Sequence, residues 1–316
     1  LLIKLQKKKN DNISYIKGIY VWKTSINEFY NQRIKIIKTI NNNIKLPLIN
    51  IYENNNEFIL KPRCVVNYQF SNENAMLIWC DIFDLEGNCY SCDNRIGFLK
   101  VIQEYNKIIE KKSPKISFIQ KYEIEQEDLL KLDSEFFLNE LIKLCLGSGI
   151  EIDEYQLCNN TLELQNNPSG ILAACDELLV VRYLFYKLSL KYRFNYKLSE
   201  QLKYKFYDIN TTSDKGYESV IKYVTKLGNI HPNINKLQLC KDFKDINFSF
   251  GKNTSNMIMI PETVKKFNNG FFIDQRFNVS SDHYSIIFSN IKFLYENEEI
   301  KESELSLAQE GHSENI

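Results

Sequence analysis

Histidine is scarce in this 316-residue chain: only His231, His283 and His312 occur. Cys89 and Cys92 form the only CxxC pair among eight cysteines. With so few nitrogen ligands and no second pair, a tetrahedral zinc site is not expected. The scattered cysteines read as reduced, mostly buried fillers of an intracellular protein. Net charge is missing as well, since 40 Lys and Arg balance 40 Asp and Glu. No global field then draws the chain toward nucleic acid or a membrane surface. No run of about 18 apolar residues occurs, so no membrane-spanning helix is expected. The opening LLIKLQKKKN puts its charges after its apolar residues, which is not the order of a signal peptide. The expected location is cytoplasmic.

What is present is the composition of a soluble globular protein, with 44% apolar and 25% charged residues. The length suits two or three domains. Over residues 24–40, TSINEFYNQRIKIIKTI, the apolar residues Ile26, Phe29, Tyr30, Ile34, Ile36, Ile37 and Ile40 follow a helical stripe, with Thr24 or Ser25 as cap. EFILKP, CVVNYQF and AMLIWCDIFD read as strands, and LEGN at 85–88 as a hairpin turn. Residues 97–112 predict an amphipathic helix carrying Phe98, Val101, Ile102, Tyr105, Ile108 and Ile109 on one face. A further helix follows Asp133 or Ser134 and stops at Gly147 and Gly149. TLELQ reads as a strand, and the longest helix follows it from about Ser169 to Tyr192. Helices are also expected over SDKGYESVIKYVTKLGN and DHYSIIFSNIKFLYENE, ahead of a polar tail. The spacing lacks tight parallel βαβ units, so the expected class is α+β, an antiparallel sheet backed by helices.

The stretch KYEIEQEDLL, residues 121–130, sets Glu123, Glu125 and Glu127 on alternate positions. On a strand these share a face. Such a row is either a solvated edge whose charges discourage pairing or the remains of a divalent-metal site, because carboxylates on one face need a cation among them.

Several segments, in order, resemble glutamine synthetases. MLIWCDIFDLEGNCYSCDNR resembles the N-terminal β-grasp domain of that family, with Trp79, Asp81 and Arg95 at the characteristic places. YEIEQED is similar to its acidic strand. TLELQNNPSGILAACDELLVVRYLF is similar to the segment in which a metal-binding Glu, a Gln and a Pro precede a long helix; here these are Glu163, Gln165 and Pro168, followed by Asp176, Arg182 and Tyr183. KGYESVIKYVTKLGNIHPNI, INFSFGKNTSNMIMI and GFFIDQRFNVSSDHYSIIF resemble later parts of the catalytic domain. The resemblance runs from about residue 75 to residue 298. It implies a β-grasp-like domain at 56–97 and a glutamine-synthetase-like catalytic domain at 98–300. Residues 1–55 form an extension without a counterpart, and 301–316 a tail.

The family joins glutamate to ammonia using ATP and two divalent cations. Mg²⁺ asks for oxygen ligands, and phosphoryl transfer for positive charge around the transferred group. By resemblance the first metal site would use Glu127, Glu163 and an acid near Gln156, which is neutral; Glu154 lies two residues away. The second would use Glu125, a position near Asp208, and a final acid where Ile273 stands. Expected arginines fall on Thr254, Met259, Glu262 and Gln275, leaving Arg276 as the residual nucleotide-side residue. Lys241 and Asp242 lie where a catalytic Glu would be, no glycine occurs from Ser199 to Asn210, and a substrate loop between Arg95 and Glu125 is deleted.

The resemblance therefore implies a pseudoenzyme with no catalytic residue and no expected cofactor, ATP included. One Mg²⁺ held weakly by Glu125, Glu127 and Glu163 is its residual capacity. The implied role is structural or regulatory, in a homo-oligomer of rings that stack or co-assemble with an active paralogue or another protein. The alternative is a divergent Mg- and ATP-dependent ligase. Lys and Tyr interleave over 191–207, taken as helical, but with zero net charge nucleic acid is not an expected partner.

Overall fold

A computed structural model describes residues 13–23, 30–40, 44–53, 56–70, 75–91, 93–125, 128, 134–199, 201–213, 216, 218–219, 222–223, 258–259, 273–278 and 283–295. The first sheet contains β1 (Ile13–Trp22), β2 (Asn31–Ile40), β3 (Ile49–Glu53), β4 (Asn56–Tyr68) and β5 (Ala75–Asp84), in the order β2-β1-β5-β4-β3. β1 and β5 run parallel at its centre, and the flanking pairs are antiparallel. The division at residue 55 falls inside the β3–β4 hairpin, where Glu53 lies opposite Asn56. Residues 13–53 thus supply strands to the same sheet as residues 56–84.

The helix expected over 24–40 is not formed at 31–40; those residues are β2, and 24–29 lie outside the described residues. The isoleucines explain the outcome. β-branched side chains lose rotamer freedom in a helix and pack well on a pleated surface. β1 offers matching partners, with Ile16 opposite Ile37 and Ile19 opposite Ile34. The cost of the strand is visible at Ile34 and Ile36, which are 52% and 61% exposed.

β4 is one strand where two short ones were expected, and the join is a bulge. Pro62 pairs with Cys80 and Cys64 with Trp79, so Arg63 is the extra residue. Proline cannot donate to the ladder, and a bulge re-aims the side chain it carries. The 85–88 turn closes as expected, with Gly87 at φ +90° and Phe83 bridged to Cys89.

α1 (Arg95–Glu104) and α2 (Asn106–Lys112) replace the single helix expected at 97–112. The break is slight, because hydrogen bonds from Tyr105 to Val101 and from Ile109 to Tyr105 carry the helical pattern across it. The second sheet is built on β6 (Lys115–Ile124), with β7 (Ile152–Cys158), β8 (Thr161–Asn166), β9 (Ser169–Gly170), β10 (Tyr196–Leu198), β11 (Gln201–Tyr207), β12 (Ile258–Met259) and β13 (Ile273–Asn278). Its antiparallel path is β12-β13-β11-β6-β8-β7, and β9 and β10 also pair with β6. Residues 196–207, read as helical from the sequence, are largely strand. Helices α3 (Ser134–Gly147), α4 (Ile171–Tyr192) and α5 (His283–Tyr295) stand where expected. Of the helix expected over 213–229, Ser213 is described as a bend, and Gly216, Glu218, Ser219, Lys222 and Tyr223 are described as helical.

α4 lies between the sheets. Phe185 stacks on Tyr122 of β6 at 3.9 Å, while Tyr183 meets Trp79 of β5 edge-on at 6.3 Å. One apolar cluster therefore includes Ile19, Leu77 and Trp79 from the first sheet, Tyr122 and Leu162 from the second, and Val181, Leu184 and Leu188 from the helix. The architecture is α+β.

Candidate functional site

Alternation along β6 decides what each face carries. Ile116, Phe118, Tyr122 and Ile124 enter the apolar clusters under the sheet. Lys121, Glu123 and, past the strand end, Glu125 fall on the other face. The register brings Lys121 directly opposite Glu163 of β8, and their side chains meet with Nζ 2.5 Å from Oε2. Glu123 is answered the same way, by Lys197 of β10 at 3.1 Å. Glu125 accepts a hydrogen bond from Asn195 Nδ2 at 3.2 Å. Lys205 donates to Gln165 Oε1 at 2.9 Å, and Gln165 Nε2 donates to Asp153 at 2.6 Å. Glu163, Glu123, Glu125 and Asp153 are thus held by lysines and amides of the chain itself.

The expected metal set is not brought together by the described residues. Glu163 is opposite Lys121, and Glu125 lies four residues further along, roughly 13 Å at strand rise. Glu127 lies outside the described residues. Gln156 does stand opposite Glu163, and Glu154 stands opposite Gln165 instead. Asp208 is engaged elsewhere: Oδ1 accepts the backbone N–H groups of Asn210 and Thr211, and Oδ2 accepts the Tyr223 hydroxyl at 2.6 Å. Burial raises its pKa against those bonds. It organises a turn, and its oxygens are not open to an ion. Among the described residues no group of three His, Cys, Asp or Glu side chains converges as a metal would require.

On the nucleotide side, Arg276 lies opposite Lys203 in the β11–β13 register, Asp274 opposite Lys205 and Ile273 opposite Phe206. Met259 is in β12, opposite Asp274. Lys241, Asp242, Thr254 and Glu262 lie outside the described residues.

Three of the residues that carried the resemblance meet elsewhere, in a buried ion cluster between the first sheet and the helices. Arg95 makes a bidentate pair with Asp176, both bonds 2.9 Å, and Tyr284 also donates to Asp176. Arg63, aimed inward by the β4 bulge, donates to Asp81 at 2.8 Å and to Asp93 at 2.9 Å. Burial opposes the Arg63 charge, but Tyr284, Asp93, Asp81 and Asp176 around it keep it protonated. Burial pushes the Asp93 carboxyl up despite Arg63 beside it. The cluster joins β4, β5, α1, α4 and α5 and is a structural clamp. Sequence reasoning found Asp81, Arg95 and Asp176 but missed Arg63, Asp93 and Lys121. For Lys121 a signal existed: it is two residues before Glu123, hence on the same face. For Arg63 the bulge was not visible beyond its flanking Pro62.

No family model matches the chain, and no curated protein matches it. Solved structures do. A cryo-EM glutamine synthetase from Plasmodium falciparum superposes with a TM-score of 0.57 at 12% identity, covering 92% of this chain and 73% of that one. A crystal structure of a novel glutamine synthase homolog gives a TM-score of 0.57 at 8% identity, over 92% and 83%. At such identities the likeness concerns architecture alone. The chain has a glutamine-synthetase-like α+β fold.

Proposed function

We propose that this protein keeps the glutamine synthetase architecture without its reaction, and serves as a structural or regulatory subunit of an oligomeric assembly. The observation that supports this is the Lys121–Glu163 pair. Glu163 is the acid that the resemblance makes a metal ligand, and an ammonium of the chain stands on it at 2.5 Å. A lysine supplies positive charge but no open coordination position and no Lewis acidity. Asp208, buried in its own turn, argues the same way for the second cation. The assembly would be a homo-oligomer of rings, alone or with an active paralogue or another protein as co-subunit, in the cytoplasm. The unbridged thiols of Cys80 and Cys145 fit a reducing compartment.

The test combines three measurements on the full chain. Glutamine formation from glutamate, ammonium and Mg·ATP is expected to be absent, and Mg·ATP is expected to leave the thermal midpoint where it was. Light scattering is expected to give a mass of several chains. Mg-dependent turnover abolished by Glu127→Ala would replace this reading with that of a divergent ligase, and a monomer would remove the assembly role.

A further inference from the structure

β2 ends the first sheet and β7 the second, with no further described strand beyond either. An end strand offers a row of unpaired backbone N–H and C=O groups. One face of an antiparallel strand is commonly packed on the core. These two strands are instead open on both faces over several residues in succession. Residues 32–36 of β2 and 153–156 of β7 are all exposed. Apolar side chains stand in these open stretches, with Ile34 52%, Ile36 61% and Tyr155 48% exposed.

The charges of the two edges are opposite and unmixed. β2 carries Arg33, Lys35 and Lys38 and no acid. β7, with the residue before it, carries Glu151, Asp153 and Glu154 and no base. Arg33 is bonded to the Asn50 carbonyl, Asp153 to the Gln165 amide and Glu151 to the Asn167 amide, all neutral partners. Lys35, Lys38 and Glu154 have no side-chain partner among the described residues. Neither row of charge is neutralised by the described part of its own chain.

We propose that β2 of one copy of this chain pairs edge to edge with β7 of a second copy. The inference rests on the proposed assembly and names the surface that makes it. Two copies of β2 laid together would set cation against cation, and two copies of β7 carboxylate against carboxylate. Like charges facing across a ladder are destabilising. The charges that keep each edge from its own kind are matched by the other edge. The contact is therefore head to tail, and such contacts close a ring or run on as a filament according to the rotation between copies. The β7–β8 ladder is irregular between Ile152 and Glu154, so 154–158 is the regular stretch open to pairing. An antiparallel register with Lys35 opposite Glu154 also sets Ile34 opposite Tyr155, covering both, and turns Lys38 toward Glu151. Main-chain bonds then supply affinity and the alternate side chains supply specificity.

The test is sedimentation velocity on the full chain with two double variants. Lys35→Glu with Lys38→Glu reverses one edge, and Glu151→Lys with Glu154→Lys reverses the other. All four side chains are exposed, so circular dichroism is expected to match the wild type. Each variant alone sets like charge against like and is expected to lose the assembled mass. Mixed in equal amounts, the two present opposite charges at each contact and are expected to recover it. Should a variant lose the wild-type spectrum, deuterium exchange on the wild type decides instead. Exchange of the 31–40 and 154–158 amides is expected to slow severalfold as the chain is concentrated, and exchange indifferent to concentration would overturn the pairing. Variants that keep the wild-type mass would overturn it and leave the assembly to another surface. Variants that dissociate and stay apart when mixed would overturn it equally, because the edges would not be each other's partners. A wild-type chain that is monomeric would remove the assembly reading itself, and this inference with it.

Discussion

For Glu163, the Lys121 ammonium and a divalent cation are electrostatically alike and chemically different. Either neutralises the carboxylate, but only the metal accepts further oxygens and polarises them. One side chain two residues from the acidic row is therefore enough to make Glu163 half of an ion pair. His283 makes the opposite point, that a titratable residue can be held out of use. It is buried, bonded to the Cys175 carbonyl oxygen at 3.2 Å, and burial beside Arg182 keeps its pKa well below 6.5. The unfolded chain takes up that proton near 6.5, so the stability His283 permits is complete above this value and lost as pH falls below it. The expected loss from this one group steepens toward a limit of about 1.4 kcal/mol per pH unit well below 6.5. Urea unfolding of wild type and His283→Asn between pH 7.5 and 5.5 checks it: the variant is expected to show the shallower dependence, whatever its absolute stability.

At the level of elements, the bulge in β4 matters more than any regular part of that strand. By spending one residue outside the ladder it delivers Arg63 to Asp81 and Asp93, in a place where no side chain of regular pleat would arrive. Arg63 lies between the rings of Trp79 and Tyr284, at 5.6 and 5.5 Å from their centroids. Removing it would leave buried carboxylates without their partner. Arg63→Ala is accordingly expected to destabilise by about 3–5 kcal/mol, the range for breaking a buried ion pair from one side, as read by denaturant unfolding. Much of the element order was legible beforehand. The helices at 134–147, 171–192 and 283–295 carry their own stripes and stops. β2 was not legible, because Ile34, Ile36, Ile37 and Ile40 suit a helical stripe and a strand alike. Only the presence of β1 beside them decided the matter.

At the scale of the molecule, the two sheets are not independent. The cluster around α4 takes side chains from both, and the Arg63–Asp81–Asp93–Arg95–Asp176 network ties the first sheet to α1 and α4. Neither sheet can open without uncovering apolar surface of the other. Calorimetry is expected to show one unfolding transition, and two separated peaks would mean the clamp is weaker than its burial implies. The sequence by itself determined the α+β class, the helices with strong periodicity, the balance of charge and the residues that share the glutamine synthetase pattern. Those properties depend on spacing, composition and caps acting over a few neighbouring residues. The tertiary structure alone decided that Lys121 answers Glu163, that Asp208 closes a turn, that Arg63 enters the clamp and that Arg182 bonds to Gln120. Each depends on strand register or on side chains tens of residues apart. Such partners are selected by packing of the whole chain, and local periodicity carries no information about them.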